Sequence, residues 1–392
     1  MSSRDTEMEF SQLFGQLDIQ NKEINLSNMI FHEDDVFRQL NELIQTTFPE
    51  SSKPKIRFPL LKLPQLVLLE CIENLDVLEI ILFSLLSKRA KTIAKLIRWN
   101  PLDIQLGSDG KPQIQLRYSL NPGRTWITDL ELSEYPYYQS SLVGPTVNHY
   151  LFMKNNGNAI EDLKQMAEHI CEVFRSPIRE ITIVEQSLID WIIKFQPTIP
   201  YLTIEKDVIT SVGTLDCIFE DLKVTKHFVL NSIRTPKKIQ CTEPISFPSI
   251  SIHNSYWFTV PLILNGNNSI IRLYESKLTP KDINTILKEW QKGAKLQNLK
   301  YLEIQTTTHL YDNDCSDEIF KYLYPTSVHR NEGRPKTVSI DDEWTYTLPE
   351  VVVVHNITRS DGMTLSVFGS FRDLKRGGRE LFLGMQVWHK QP

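Results

Sequence analysis

Between Val77 and Leu86, eight of ten residues are apolar: Val77, Leu78, Ile80, Ile81, Leu82, Phe83, Leu85 and Leu86. A helix that is apolar all round needs cover on every side. The helices expected beside it make a unit of about forty residues, and a unit that small has too little volume to supply the cover. Either the remainder of the chain or a partner protein must bury what is left exposed.

The flanking residues define that unit. Pro64 suits the first position of a helix carrying Leu66, Val67, Leu69, Ile72 and Leu75 at near-helical spacing. Asp76 is placed to cap the second helix, with Glu79 three residues on completing a capping box. Ser87 is placed to cap a third, striped by Ala90, Ile93, Ala94 and Ile97 and stopped by Asn100-Pro101.

Composition narrows the function classes. A net charge of −5 favours neither nucleic acid nor an anionic membrane. Five scattered cysteines without a C-x-x-C pair argue for reduced thiols in cytoplasm or nucleus. The opening MSSRDTEMEF has no apolar core of a signal peptide. Glu70, Glu73, Asp76 and Glu79 interrupt the longest apolar run, so no membrane span is expected there.

No catalytic constellation stands out. The turn Lys375-Arg376-Gly377-Gly378-Arg379 lacks the spacing of a phosphate loop. Asp312 to Asp317 lacks the glycine and the distal glutamate of a calcium loop. His169 and Cys171 lie two apart, on different helix faces, which reads as an exposed histidine and a packed thiol. The histidines show no metal spacing, so no cofactor or metal is expected and the chain reads as a non-enzyme. Lys88, Arg89, Lys91, Lys95 and Arg98 make a basic helix, but the apolar unit around it argues against nucleic-acid reading.

Along the chain, residues 1–55 read as a polar, flexible extension with one amphipathic segment between Asp35 and Phe48. Residues 101–158 read as a connecting β-rich region. It opens with a hairpin, Leu102 to Leu120, and continues through Gly-, Pro- and Tyr-rich loops to Gly144 and a strand near Val147 to Met153. Beyond residue 159, strands are expected at Glu180 to Val184, Tyr201 to Glu205, His227 to Asn231, Ser249 to His253, Ile270 to Tyr274 and Tyr301 to Gln305. Helical segments fall between most pairs, including one capped by Thr279-Pro280. Strand plus helix at this period predicts an irregular leucine-rich-repeat-like α/β domain, with a doubly wound α/β domain as the alternative.

Two stretches resemble a known family. Leu63-Pro64, two apolar helices and then Ser87-Lys88-Arg89-Ala90 resemble an F-box, particularly the nematode form, which opens with Phe-Pro-Leu-Leu as Phe58 to Leu61 do. Asp282, Ile283, Asn284, Leu287, Lys288 and Trp290, followed by Leu299, Leu302 and Ile304, resemble the F-box-associated region. So do the C-terminal Ile357 to Gly362 and Phe382 to Trp388, which match that family's closing hairpin. The 55 N-terminal residues depart from the arrangement.

The resemblance implies a three-helix F-box at 56–100 and an F-box-associated α/β domain at 159–392, an α+β or α/β chain overall. It implies a substrate-recognition adaptor of an SCF-type (cullin-RING) ubiquitin ligase, bound to an Skp-family adaptor, through it to a cullin, and to an unknown protein substrate. The basic helix then gains a use, since the adaptor is expected to be acidic. A binding module unrelated to ubiquitin and an uncharacterised α/β enzyme stay open.

Leu63, Pro64, Leu66, Val67, Ile72, Leu78, Leu82 and Leu85 are the expected partner-facing residues. Alternation along the later strands assigns substrate contact to Thr182, Glu205, Asn231, His253, Arg272, Tyr274, Glu303 and Gln305.

Overall fold

In this computed structural model, residues 62–389 are described apart from 109–110, 119–120, 131–136, 154–156, 234–242, 307–313, 330–332, 340–344, 352 and 374–378. The expected extension at 1–55, most of the basic turn and the first two residues of the rejected calcium loop lie outside the described residues, while Asp314 to Asp317 of that loop open a helix. The chain divides into two compact units that meet at Arg179 and Glu180. Among the described residues, no helix is long and apolar enough to cross a membrane.

The first unit opens with α1 (Gln65–Glu73), α2 (Val77–Leu85) and α3 (Lys88–Ala94). Asp76 and Glu79 form the expected capping box, and the Ser87 side chain caps α3 by accepting from the Ala90 N–H. Pro64 stands one residue earlier than expected, at the N-cap of α1.

Five strands follow, β1 (Leu102–Ser108), β2 (Lys111–Tyr118), β3 (Asn121–Asp129), β4 (Tyr137–Val143) and β5 (Thr146–Phe152), hydrogen-bonded in the order β1-β2-β3-β5-β4. The hairpin β1–β2 is antiparallel, with Ile104 opposite Leu116. The loops expected at 121–144 are instead largely strands. Asn121-Pro122-Gly123 carries a turn signal, but Trp126 and Ile127 just beyond it are buried, and their burial decides the backbone.

The helix α4 (Ala159–Phe174) closes this unit and packs on β1, β2 and α2. Leu163, Met166, Ala167, Ile170, Val173 and Phe174 form its buried stripe. The apolar face of α4 is spent on the first unit, and the two compact units divide at 179/180.

In the second unit, β6 (Ile178–Ile183), whose first two residues close the first unit, leads a run of parallel strands. They are β7 (Thr198–Ile204), β8 (Lys223–Leu230), β9 (Ser249–Ile252), β10 (Ile270–Ser276) and β11 (Tyr301–Thr306), each paired with its neighbour in chain order. Parallel neighbours require crossovers. These are α5 (Ser187–Phe195), α6 (Val212–Asp221), α7 (Val260–Asn265) and α8 (Pro280–Lys292), with no helix described between β8 and β9. Ile181, Ile183, Leu202, Ile204, Phe228, Leu230, Ile250, Ile252, Ile271, Leu273, Leu302 and Ile304 are each at most 1% exposed, so the expected inward set is buried on every parallel strand, although on β9 and β11 the residues between them, Ser249, Ser251, Tyr301 and Glu303, are buried as well.

The parallel run then ends. After α9 (Asp314–Ile319) come β12 (Thr326–His329), the short ribbon β13 (Thr337–Ser339) and β14 (Thr345–Thr347), then β15 (Val353–Thr358), β16 (Met363–Asp373) and β17 (Arg379–His389). β17 lies antiparallel against β11, and the sheet continues through β16 and β15 to β12, antiparallel throughout. The second unit is thus a mixed sheet: parallel where helices cross over, antiparallel where hairpins connect.

Candidate protein-binding surfaces

The three N-terminal helices are sealed on one side by polar contacts as well as by apolar packing. The Ser84 hydroxyl, buried in α2, lies 2.8 Å from the Ile81 carbonyl and 2.7 Å from Nε2 of His169 on α4. Lys91 and Lys95 of α3 reach the Glu172 carboxylate at 2.5 and 2.6 Å, and Arg175 donates to the Lys95 carbonyl. The Trp126 indole donates to Asp76 at 2.9 Å, tying the start of α2 to β3. Two of the cations expected to face a partner are therefore committed to α4. His169, read from sequence as exposed, is half-buried and bonded.

Burial, with help from the Lys91 charge, lowers the His169 pKa to about 4. The unfolded chain accepts a proton near pH 6.5 that the folded chain refuses. This contribution is therefore complete above pH 6.5 and is lost as pH falls toward 4, by an amount on the order of 3 kcal/mol. We expect the melting temperature to fall over that range and His169→Gln to flatten the decline; an unchanged slope in the variant contradicts the assignment.

One face of α1 is left uncovered. Leu66 is 82% exposed and Val67 44%, with Pro64 exposed beside them. Leu63, Leu82 and Leu85 are half-buried. Ile72 and Leu78, expected to face a partner, are 0% and 1% exposed and belong to the unit's own core. Spacing alone could not separate them, because a helix apolar all round offers the same residue types to both sides.

In the second unit, strand register sets Thr182, Thr203, Val229, Ser251, Arg272 and Glu303 side by side across six strands. Glu205, Asn231, His253, Tyr274 and Gln305 occupy the next row toward the carboxyl ends, and all five are half-buried. Asn231 donates to Glu205 at 3.1 Å, and the His253 ring stacks on Tyr274 with centroids 4.4 Å apart. The Arg272 guanidinium lies 5.6 Å from the Tyr274 ring and 4.7 Å from that of Tyr346.

Part of this face is covered. Thr182 and Glu303, both expected to meet substrate, are 9% and 5% exposed. The Glu303 carboxylate accepts from Tyr301 at 2.7 Å and from Tyr346 at 3.3 Å, with Arg272 Nε 3.8 Å away. Burial foremost, then the Glu303 charge, pushes the Tyr301, Tyr274 and Tyr346 phenols up, so all three stay protonated donors. Burial pulls His253 down and keeps it neutral. The cover over Glu303 is the β13–β14 ribbon, whose Val338 packs with Tyr301, Leu348, Val354 and Phe368 and against Tyr346. A cavity of about 300 Å³ remains between Tyr301, Glu303, Tyr346 and Phe368.

The ribbon was not among the elements expected from the sequence. Its only local signal is the alternation in Thr345-Tyr346-Thr347. Nor was His227 among the expected site residues; it is buried between the Ser249 hydroxyl at 2.6 Å and that of Ser251 at 3.2 Å.

Comparison with known proteins bears on both surfaces. No curated protein and no solved structure matches the chain. Residues 238–304, spanning β9 to β11, match the family model described as F-box associated. Residues 60–100, which contain α1, α2 and α3, match the F-box domain.

Proposed function

We propose that the chain is a substrate-recognition adaptor of an SCF-type ubiquitin ligase. Its F-box helices dock on an Skp-family adaptor, and its second unit holds a protein substrate. The observation that carries this reading is the bare apolar face of α1, Leu66 and Val67, on the segment that matches a domain known for binding that adaptor. The opposite side of the helices is closed by α4.

The chain contributes no bond-making step. It raises the local concentration of substrate near the ligase's catalytic subunits. The exposed parts of the polar row, Glu205, Asn231, His253, Arg272, Tyr274 and Gln305, are the proposed substrate contacts, carried on a solenoid-like parallel run. Free thiols at Cys71, Cys171, Cys217 and Cys315 suit a cytoplasmic or nuclear setting.

Co-expression with an Skp adaptor tests the reading. Wild type is expected to co-purify, and Leu66→Asp/Val67→Asp to be lost from the complex, since each apolar anchor contributes about 2 kcal/mol. Equal recovery of both proteins would overturn it.

A further inference from the structure

Asn284 is a polar residue on the buried face of α8, 7% exposed, and a buried amide is costly unless its hydrogen bonds are met. Its Nδ2 donates to the carbonyls of Ile319 at 2.7 Å and Lys321 at 3.1 Å. Ile319 ends α9 and Lys321 lies in the turn just beyond it, where carbonyls lack helical donors.

Beyond this clamp the backbone enters the left-handed region twice, at Tyr322 (φ 66°) and Tyr324 (φ 47°). Leu323 between them is buried, while the two tyrosines are 70% and 88% exposed. Lys288, one turn along α8 from Asn284, holds its ammonium 5.0 Å from the Tyr322 ring. Left-handed backbone is unfavourable for bulky side chains, and the exposed rings gain little from burial in return. Strain kept at exposed aromatics by a buried clamp points to use of those aromatics.

The next element is β12, Thr326–His329, at the end of the sheet order. Among the described residues it pairs only with β15, and no described strand takes up the backbone N–H and C=O groups on its other side. Pro325 stands immediately before it, and its own residues, Thr-Ser-Val-His, include no lysine or acid to guard that edge.

We propose that β12 and the two tyrosines form a docking surface for an extended segment of a partner protein. The segment adds to the sheet as a strand and presents an apolar side chain to Tyr322 and Tyr324. Unpaired edge amides and carbonyls are complementary to an extended backbone. Tyrosine rings supply contact area with little side-chain entropy to lose. A second copy of this chain is a poorer occupant, because an edge of four residues is about 13 Å long and buries too little to hold two folded chains together. The surface is separate from the Arg272–Tyr274 row, with four strands between β12 and β10, and does not depend on adaptor binding.

The test pans a displayed library of random dodecapeptides against the full chain and measures the affinity of the selected peptides in solution. Apolar-containing peptides are expected to be enriched. Tyr322→Ser/Tyr324→Ser is expected to weaken them at least about tenfold, and Leu66→Asp/Val67→Asp to leave them unchanged. Amide exchange at Thr326 to His329 is expected to slow when peptide binds. Three results overturn the proposal: no enrichment, peptides that bind the tyrosine variant equally well, or unaltered exchange along β12. So does self-association of the wild type that the tyrosine variant abolishes.

Discussion

Ile72→Asp is expected to unfold the first unit under conditions in which Leu66→Asp leaves it folded. The two residues sit on the same nine-residue helix, α1, yet Ile72 is 0% exposed and Leu66 82%. An unpaired carboxylate at Ile72 has to be protonated or desolvated, at several kcal/mol, against a total stability of about 5–15 kcal/mol for a domain. At Leu66 the same carboxylate stays in water, and the expected change is within about 0.5 kcal/mol. Thermal melts of the full chain followed by limited proteolysis distinguish the outcomes. Equal loss from both substitutions contradicts the assignment of α1 into a core face and a bare face.

Trp290→Ala is expected to destabilise the second unit by about 3–5 kcal/mol, the range for truncating a fully buried large aromatic. Trp290 is 0% exposed on α8, and the Arg359 guanidinium covers its ring at 5.0 Å. Arg359 in turn holds Asp361 at 2.7 to 3.0 Å, so the ring also supports the turn before β16. Among the described residues the Trp290 indole nitrogen has no hydrogen-bond partner. Trp290→Phe is therefore expected to keep most of the stability, with a loss of about 1.5 kcal/mol or less. Denaturant titration of the three proteins checks this order, and a phenylalanine as harmful as alanine contradicts it.

Both predictions rest on residues whose type and place were legible in the sequence to different degrees. The caps Asp76, Ser87 and Thr279 were readable because a side chain bonding an amide two or three residues away is a local event. The inward alternation of Ile181, Leu202, Phe228 and their neighbours was readable because a strand's period is fixed at two. The common row from Thr182 to Glu303 was readable for the same reason once parallel neighbours were assumed.

Contacts made across long stretches of chain were not. Ser84 and His169 are 85 residues apart, and nothing local to either points to the other. Nor did hydropathy separate Leu66 from Ile72, because that choice is made by which face of α1 packs on α3 in the folded unit. Tyr346 covers Glu303 from 43 residues away, which turned an expected substrate contact into a buried carboxylate. The antiparallel addition of β17 to β11 likewise depends on a hairpin whose register only the folded sheet reveals.

The most direct measurement is amide hydrogen exchange on the full chain with and without a purified Skp adaptor. Slowed exchange is expected across α1, Gln65–Glu73, centred on Leu66 and Val67, with α4 and the Arg272–Tyr274 strand unchanged. Exchange in α1 that the adaptor does not alter, or protection confined to the second unit, would contradict it.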